Sequence, residues 1–263
     1  MALFILPLLI SFGLLAALFT GGEDTVEEGE TVSGTNGDDD LTGGDGDDTL
    51  SGRAGDDILL GRDGDDAIFA GAGNDYVDGG AGDDDIYMGD GDDTNFLPGV
   101  DANDNGDDVI RGGAGADVIV DVAGSNTLLG GSGWDEIYAV DAPGDEGTPD
   151  ILDGGWGKDI LVGDAGDTMT GGEQYDEFDV VVYEPTLDPV LITDWEHELA
   201  EGPEVITLVL NPALSGQPVS WTTSSAGFHI TVGGQDVAIV QGATSTDQIN
   251  ALLSSVSVSY AAA

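Results

Sequence analysis

Residues 43–69 read GGDGDDTLS, GRAGDDILL and GRDGDDAIF, three units of nine residues laid end to end. In each unit glycine stands first and fourth, aspartate sixth and a large apolar residue eighth. Extended outward, the frame gives seven gapless units from Gly34 to Phe96, four from Asn103 to Tyr138 and four from Asp145 to Asp179. One of the last group, GDAGDTMT, is contracted to eight residues, and Leu97 to Ala102 and Ala139 to Gly144 interrupt the period. Of the fifteen units, thirteen keep glycine at the fourth place and thirteen keep aspartate at the sixth, far beyond what composition alone produces.

The pattern dictates a local geometry. Glycines admit positive φ, so the first six residues of a unit can turn tightly and aim carbonyls inward. The last three form a short strand, and alternation of side chains leaves only the eighth residue facing inward. Two units then complete one coil, so residues eighteen apart stack. Leu41, Leu59 and Val77 are expected to line one inner wall, and Leu50, Ile68 and Ile86 the other. One inward side chain per nine residues is too little apolar burial to offset the ordering of nine backbone units. A bound metal has to supply the difference, which would make binding and folding one linked equilibrium.

Charge leads to the same place. The 263 residues carry 53 acidic side chains against four cations, Arg53, Arg62, Arg111 and Lys158, for a formal net charge of −49. Such a chain repels itself, and compaction calls for cations from outside. No basic patch is available for nucleic acid or for an anionic membrane surface. The absence of cysteine excludes a disulfide scaffold and a thiolate metal site. An acidic, glycine-rich composition also describes disordered segments, but periodic apolar residues do not belong to that class.

The nonapeptide resembles G-G-x-G-x-D-x-U-x, with U apolar, of the RTX (repeats-in-toxin) family, from Gly34 to Asp179. The resemblance implies an all-β, right-handed parallel β-roll that binds several Ca²⁺ ions in its turns. Carried over place by place, it assigns calcium to the sixth-position carboxylates Asp39, Asp48, Asp57, Asp66, Asp75, Asp84, Asp93, Asp108, Asp117, Asp135, Asp150, Asp159 and Asp176, with turn carbonyls completing each site. Fifth-position acids such as Asp38 and Asp47 are expected to face solvent. Asn126 and Thr168 stand where the sixth-position aspartate belongs, Thr148 and Gln174 where the fourth-position glycine belongs, and Asn95 where an apolar residue belongs. Asp101-x-Asn103-x-Asn105-Gly106 opens like an EF-hand loop, but Gly112 occupies the place of its bidentate glutamate, so a turn at Asn105-Gly106 is the first reading.

Residues 1–20 form an almost wholly apolar stretch, long enough for a spanning helix, which reads equally as an uncleaved membrane anchor or a poorly conforming signal peptide. Residues 21–33 are an acidic linker, 34–179 the roll and 180–263 a β-rich cap and secretion region. Strands are expected over Val180–Tyr183, Val190–Thr193, Val205–Leu210, Val219–Thr223, Phe228–Val232 and Val237–Val240, and a helix over Asp247–Val256. The segment LITDWEHELAEGPEVITLVL resembles the region that closes the last coil in many RTX proteins, and the tail Val256–Ala263 resembles a type I secretion signal.

Catalysis is not indicated. His197 and His229 are the only histidines, no His-Glu-x-x-His segment exists, and carboxylates committed to calcium are poor acids or bases. The outward aromatics Trp134, Trp156 and Tyr175 could stack on a sugar ring or simply cover a loop. The chain therefore reads as an extracellular or cell-surface bacterial calcium-binding protein, non-enzymatic, folding on Ca²⁺ after passage through a secretion apparatus. The alternative is an adhesive or surface-layer element anchored by residues 1–20 and assembled through calcium. No protein partner is legible.

Overall fold

A computed structural model describes residues 29–95, 106–141, 148–184, 188–195, 204–243 and 246–260. The apolar helix expected over 1–20, and most of the EF-hand-like loop with its insertion, lie outside them. Among the described residues no helix is long and apolar enough to cross a membrane.

The repeat region is an all-β parallel roll. The strands Thr31–Ser33, Thr49–Ala54, Ala67–Ala72, Asp85–Asp90, Val109–Gly115, Thr127–Gly133, Ile151–Gly157 and Thr168–Glu173 lie side by side in a 12-stranded sheet. The intervening strands build the opposite wall: Asp40–Thr42, Ile58–Asp63 and Tyr76–Ala81, then Val118–Asp121, Glu136–Ala139, Ile160–Gly163 and Glu177–Val182. Stacking is in register, with Leu41 on Leu59 on Val77 and Leu50 on Ile68 on Ile86, as the eighteen-residue coil requires. Ile110, Leu128 and Leu152 continue the second wall, and Ile119, Ile137, Leu161 and Phe178 the first. All of these side chains are buried.

The wall of Leu41, Leu59 and Val77 is interrupted at Asp93–Asn95, where only single bridges join Tyr76 to Thr94 and Thr94 to Val118. Asn95, which breaks the apolar pattern, repairs that gap. Its backbone amide donates to Val118 O at 3.3 Å, its Nδ2 donates to Val120 O at 2.8 Å, and its Oδ1 accepts the Val120 amide at 2.8 Å. The side chain thus supplies the ladder that a strand would have made. Sequence pattern alone recommends Asn95→Leu; the structure instead predicts a loss of about 1–3 kcal/mol, because two backbone groups of Val120 lose their partners. The midpoint of denaturant unfolding in saturating calcium measures it, and an unchanged or raised midpoint would contradict this role.

The parallel sheets continue past the last nonapeptide. Val190–Ile192 pairs with Thr168–Glu173, and Val205–Leu210 with Glu177–Val182. Gln235–Val240 follows in the first sheet, and Val256–Tyr260 adds a parallel strand to the second after the helix Thr246–Ser255. Most of the tail read as a secretion signal is therefore also an edge strand. The antiparallel strands Phe228–Val232 and Val219–Thr223 end the first sheet, so a hairpin, rather than an open parallel strand, forms its last edge. Trp195 is buried in this end and donates from its indole Nε1 to Glu204 O at 3.1 Å.

Candidate metal centre

The sixth-position residues form two columns, one along each long edge of the roll. Asp39, Asp57, Asp75, Asp93, Asp117, Asp135, Asp159 and Asp176 form one, each carboxylate Oδ1 accepting the backbone amide of the preceding member at 2.8–2.9 Å. Asp48, Asp66, Asp84, Asp108, Asn126, Asp150 and Asp167 form the other in the same way, at 2.6–2.9 Å. Every member except Asp39 is buried. The column exists because each aspartate precedes a stacked strand, so its amide and the next carboxylate recur at one coil spacing.

Asp167 was not expected there. Counting forward through the contracted unit puts Thr168 at the sixth place, but Thr168 pairs with Ile151 and Met169 with Leu152. The missing residue was removed from the turn, and Asp167 takes the column position. Counting back two residues from the core-facing Met169 would have found it. Asn126 does occupy the sixth place, as its column bonds show. At the two replaced fourth positions, Gln174 keeps a left-handed backbone with φ 91°, and the Thr148 amide and hydroxyl both donate to Asp141.

The fifth-position acids are exposed, as expected, but also bonded. Asp38, Asp47, Asp56 and Asp65 each accept the amide of the fifth residue one coil on, at 2.9–3.1 Å. These outer ladders use the same oxygens that were read as solvating charge.

What each inner carboxylate does with its second oxygen decides the chemistry. Oδ2 of Asp57, Asp66, Asp75, Asp84, Asp93, Asp117, Asp135 and Asp159 is buried and has no hydrogen-bond partner. For Asp57, Asp66, Asp117, Asp135 and Asp159 it lies over the first-position glycine of its own unit, together with a peptide oxygen of the adjacent coil. A Cβ on Gly52 would meet Asp57 Oδ2 at 2.3 Å and Ala70 O at 2.6 Å; one on Gly130 would meet Asp135 Oδ2 at 2.5 Å and Gly154 O at 2.7 Å. Two acceptors thus converge with no donor between them.

Burial makes these carboxyls reluctant to ionise, and neighbouring carboxylates add to it. Asp66, Asp93, Asp135 and Asp159 are pushed up to about 6, Asp84, Asp117 and Asp150 to about 7, and Asp167 to about 8. Asp75, Asp121 and Asp176 move in the same direction, chiefly by desolvation. Among the described residues no three acidic or imidazole side chains gather round a single point. Donor sets here combine a carboxylate with peptide carbonyls.

His229 and the exposed aromatics take no part in the column bonds. His229 Nδ1 contacts Asp236 Oδ2 at 2.8 Å in the terminal sheet, while His197 falls outside the described residues. Trp134 and Trp156 are exposed, and Lys158 lies over the Tyr175 ring at 5.6 Å.

A family model of the RTX calcium-binding nonapeptide repeat, four copies long, matches residues 33–68, 60–94, 104–120, 115–139 and 148–170. No curated protein matches the chain. The residues fit calcium, which takes six to eight hard oxygens from carboxylates and carbonyls. Unpartnered Oδ2 atoms facing carbonyl oxygens are stabilised by a cation and by little else except a proton.

Proposed function

We propose, from the premise that the chain belongs over residues 33–170 to the RTX calcium-binding repeat family, whose repeats bind Ca²⁺ at multiple sites, that it is a non-catalytic calcium-binding protein whose roll folds on binding the ion outside the cell. The observation that carries this is the double column of carboxylates, eight of which keep a buried second oxygen with no hydrogen-bond partner. Asp39, Asp48, Asp57, Asp66, Asp75, Asp84, Asp93, Asp108, Asp117, Asp135, Asp150, Asp159 and Asp176 hold calcium, joined by Asp167 and by first-position carbonyls such as those of Gly61, Ala70, Gly130 and Gly154.

Calcium supplies positive charge between these oxygens. The chain contributes everything else: glycine turns bring the carbonyls in, Oδ1 bonds lock each carboxylate in orientation, and burial excludes competing water. Because each carboxylate accepts the amide of the coil before it, ordering of one turn orders the next. That coupling favours a sharp transition over independent filling of sites. Extracellular calcium modules work at about 10⁻⁴ to 10⁻³ M, so the chain would stay open at cytosolic calcium and close after export. Residues 180–263 serve as the cap and carry the signal for a bacterial secretion apparatus, residues 21–33 are a linker whose last three residues already pair as the first strand of the roll, and residues 1–20 are a signal or anchor.

Far-ultraviolet circular dichroism of the full chain during a Ca²⁺ titration, with Mg²⁺ as the control, tests this. A steep gain of β signal with Ca²⁺ only is expected, since Mg²⁺ gives up its water reluctantly. The same spectrum in chelator and in millimolar Ca²⁺ would end the proposal of calcium-coupled folding.

A further inference from the structure

One turn of the second column lacks its carboxylate. Asn126 replaces aspartate there and keeps only the structural part of the role. Its Oδ1 accepts the Asp108 amide at 2.8 Å, its own amide donates to Asp150 Oδ1 at 2.6 Å, and its Nδ2 donates to Ala123 O at 3.1 Å. The hydrogen-bond column is unbroken, but the negative charge is gone.

The same unit breaks the pattern a second time. Its first residue, where most units have glycine, is Asp121, at the end of the strand Val118–Asp121. First and sixth places address the same space across a turn. In the regular units that follow and precede it, a Cβ on Gly112 would lie 2.4 Å from Asp117 Oδ2, and one on Gly130 2.5 Å from Asp135 Oδ2. A side chain at the first place therefore adjoins the carboxylate position of the sixth, as buried Ala70 does beside Asp75 and buried Met88 beside Asp93.

Asp121 is 2% exposed. Its Oδ1 accepts the Ala123 amide at 3.3 Å, while its Oδ2 is buried without a hydrogen-bond partner, as in the regular units. Its charge is felt against Asp108 in the coil before and Asp150 in the coil after, the two carboxylates that flank Asn126 in the column. From these observations we infer that the calcium site at the Asn126 turn is retained by transposition, with Asp121 at the first place supplying the carboxylate that the sixth place has lost. The inference rests on the calcium reading above. It adds to the ligand set a position that the nonapeptide pattern reserves for glycine.

The experiment counts calcium bound at saturation by the full chain, by equilibrium dialysis against Ca²⁺ alone with metal analysis, and follows the fold by circular dichroism. Asp121→Gly is expected to bind one equivalent fewer than the parent. Asp121→Asn, which keeps shape and the Ala123 bond, is expected to lose the same equivalent. Asp121→Gly combined with Asn126→Asp restores the regular pattern and is expected to recover the parent count. If Asp121→Gly fails to fold, Asp121→Asn alone decides. A parent count and affinity retained in the folded single variants would overturn the transposition and leave the general calcium reading standing. A parent chain that binds no Ca²⁺ would overturn both.

Discussion

In a chelator at about pH 7.5 the chain is expected to lose its β-roll, and acidifying that same metal-free sample to about pH 5 is expected to restore part of it. The direction follows from linkage. The inner carboxyls have folded-state values raised to about 6 for Asp66, Asp93, Asp135 and Asp159, about 7 for Asp84, Asp117 and Asp150, and about 8 for Asp167. In the unfolded chain an aspartate titrates near 3.9. A group raised on folding binds its proton more tightly in the folded state, so its stabilising contribution is complete below about 3.9 and is lost as pH climbs through the folded value. With many such groups, metal-free stability falls across about pH 4 to 8. Relief of self-repulsion works in the same direction, because the chain carries a net charge of −49 at pH 7 and has an isoelectric point near 4.1. At about pH 5 it remains anionic enough to stay dispersed.

Calcium reverses the slope. Its ligands must be deprotonated, so protons compete with the ion and the calcium midpoint should move to higher concentration as pH falls. Circular dichroism in chelator and in millimolar calcium, each at both pH values, checks the pair of signs. A metal-free chain that is equally unfolded at both pH values would show that proton and calcium do not substitute for one another at the buried oxygens.

The repeat made much of this architecture readable before any coordinates. A strict nine-residue period with one apolar place fixes both the pairing of strands eighteen apart and the residues on each wall, because a slip of one residue would turn every core side chain outward. Leu50 on Ile68 on Ile86 follows from counting alone. Counting failed where the count changed. Asp167 was hidden because a deletion inside a turn shifts the frame, and only the core-facing Met169 marks the true register. Asn95 was obscured for a different reason. It departs from the pattern at one place and compensates through a residue distant in sequence, Val120. A repeat averages over its units, so it shows what is common and conceals such local exchanges. The outer ladders were missed because exposure was read as solvation, while stacked amides one coil apart also seek acceptors.

Gly113→Ala should disable the roll at its centre, while Gly37→Ala at the opening turn should be nearly silent. Gly113, second in its unit, has φ 117°, outside the range an L-residue adopts without strain. A Cβ there would also stand 2.1 Å from Gly89 O and 2.9 Å from Gly89 C, the backbone of the neighbouring coil. That oxygen has no room to yield, since Gly89 and Gly113 are paired in register and Gly131 pairs with Gly113 on the other side. Arg53 and Arg62 hold the same place in the opening coils, but at φ 85° and 97°. An alanine at 113 must rotate toward those values against coils fixed above and below it. Strain and overpacking each cost about 1–3 kcal/mol, so a loss of about 3 kcal/mol or more is expected. By contrast a Cβ on Gly37 meets nothing within 4 Å, and its φ is not in the left-handed range. Its substitution should stay within about 0.5 kcal/mol. Denaturant midpoints of both variants in saturating calcium measure the contrast. Equal midpoints would mean that coils stack less closely than the register implies, and that the second-position glycines serve the turn but not the contact between coils.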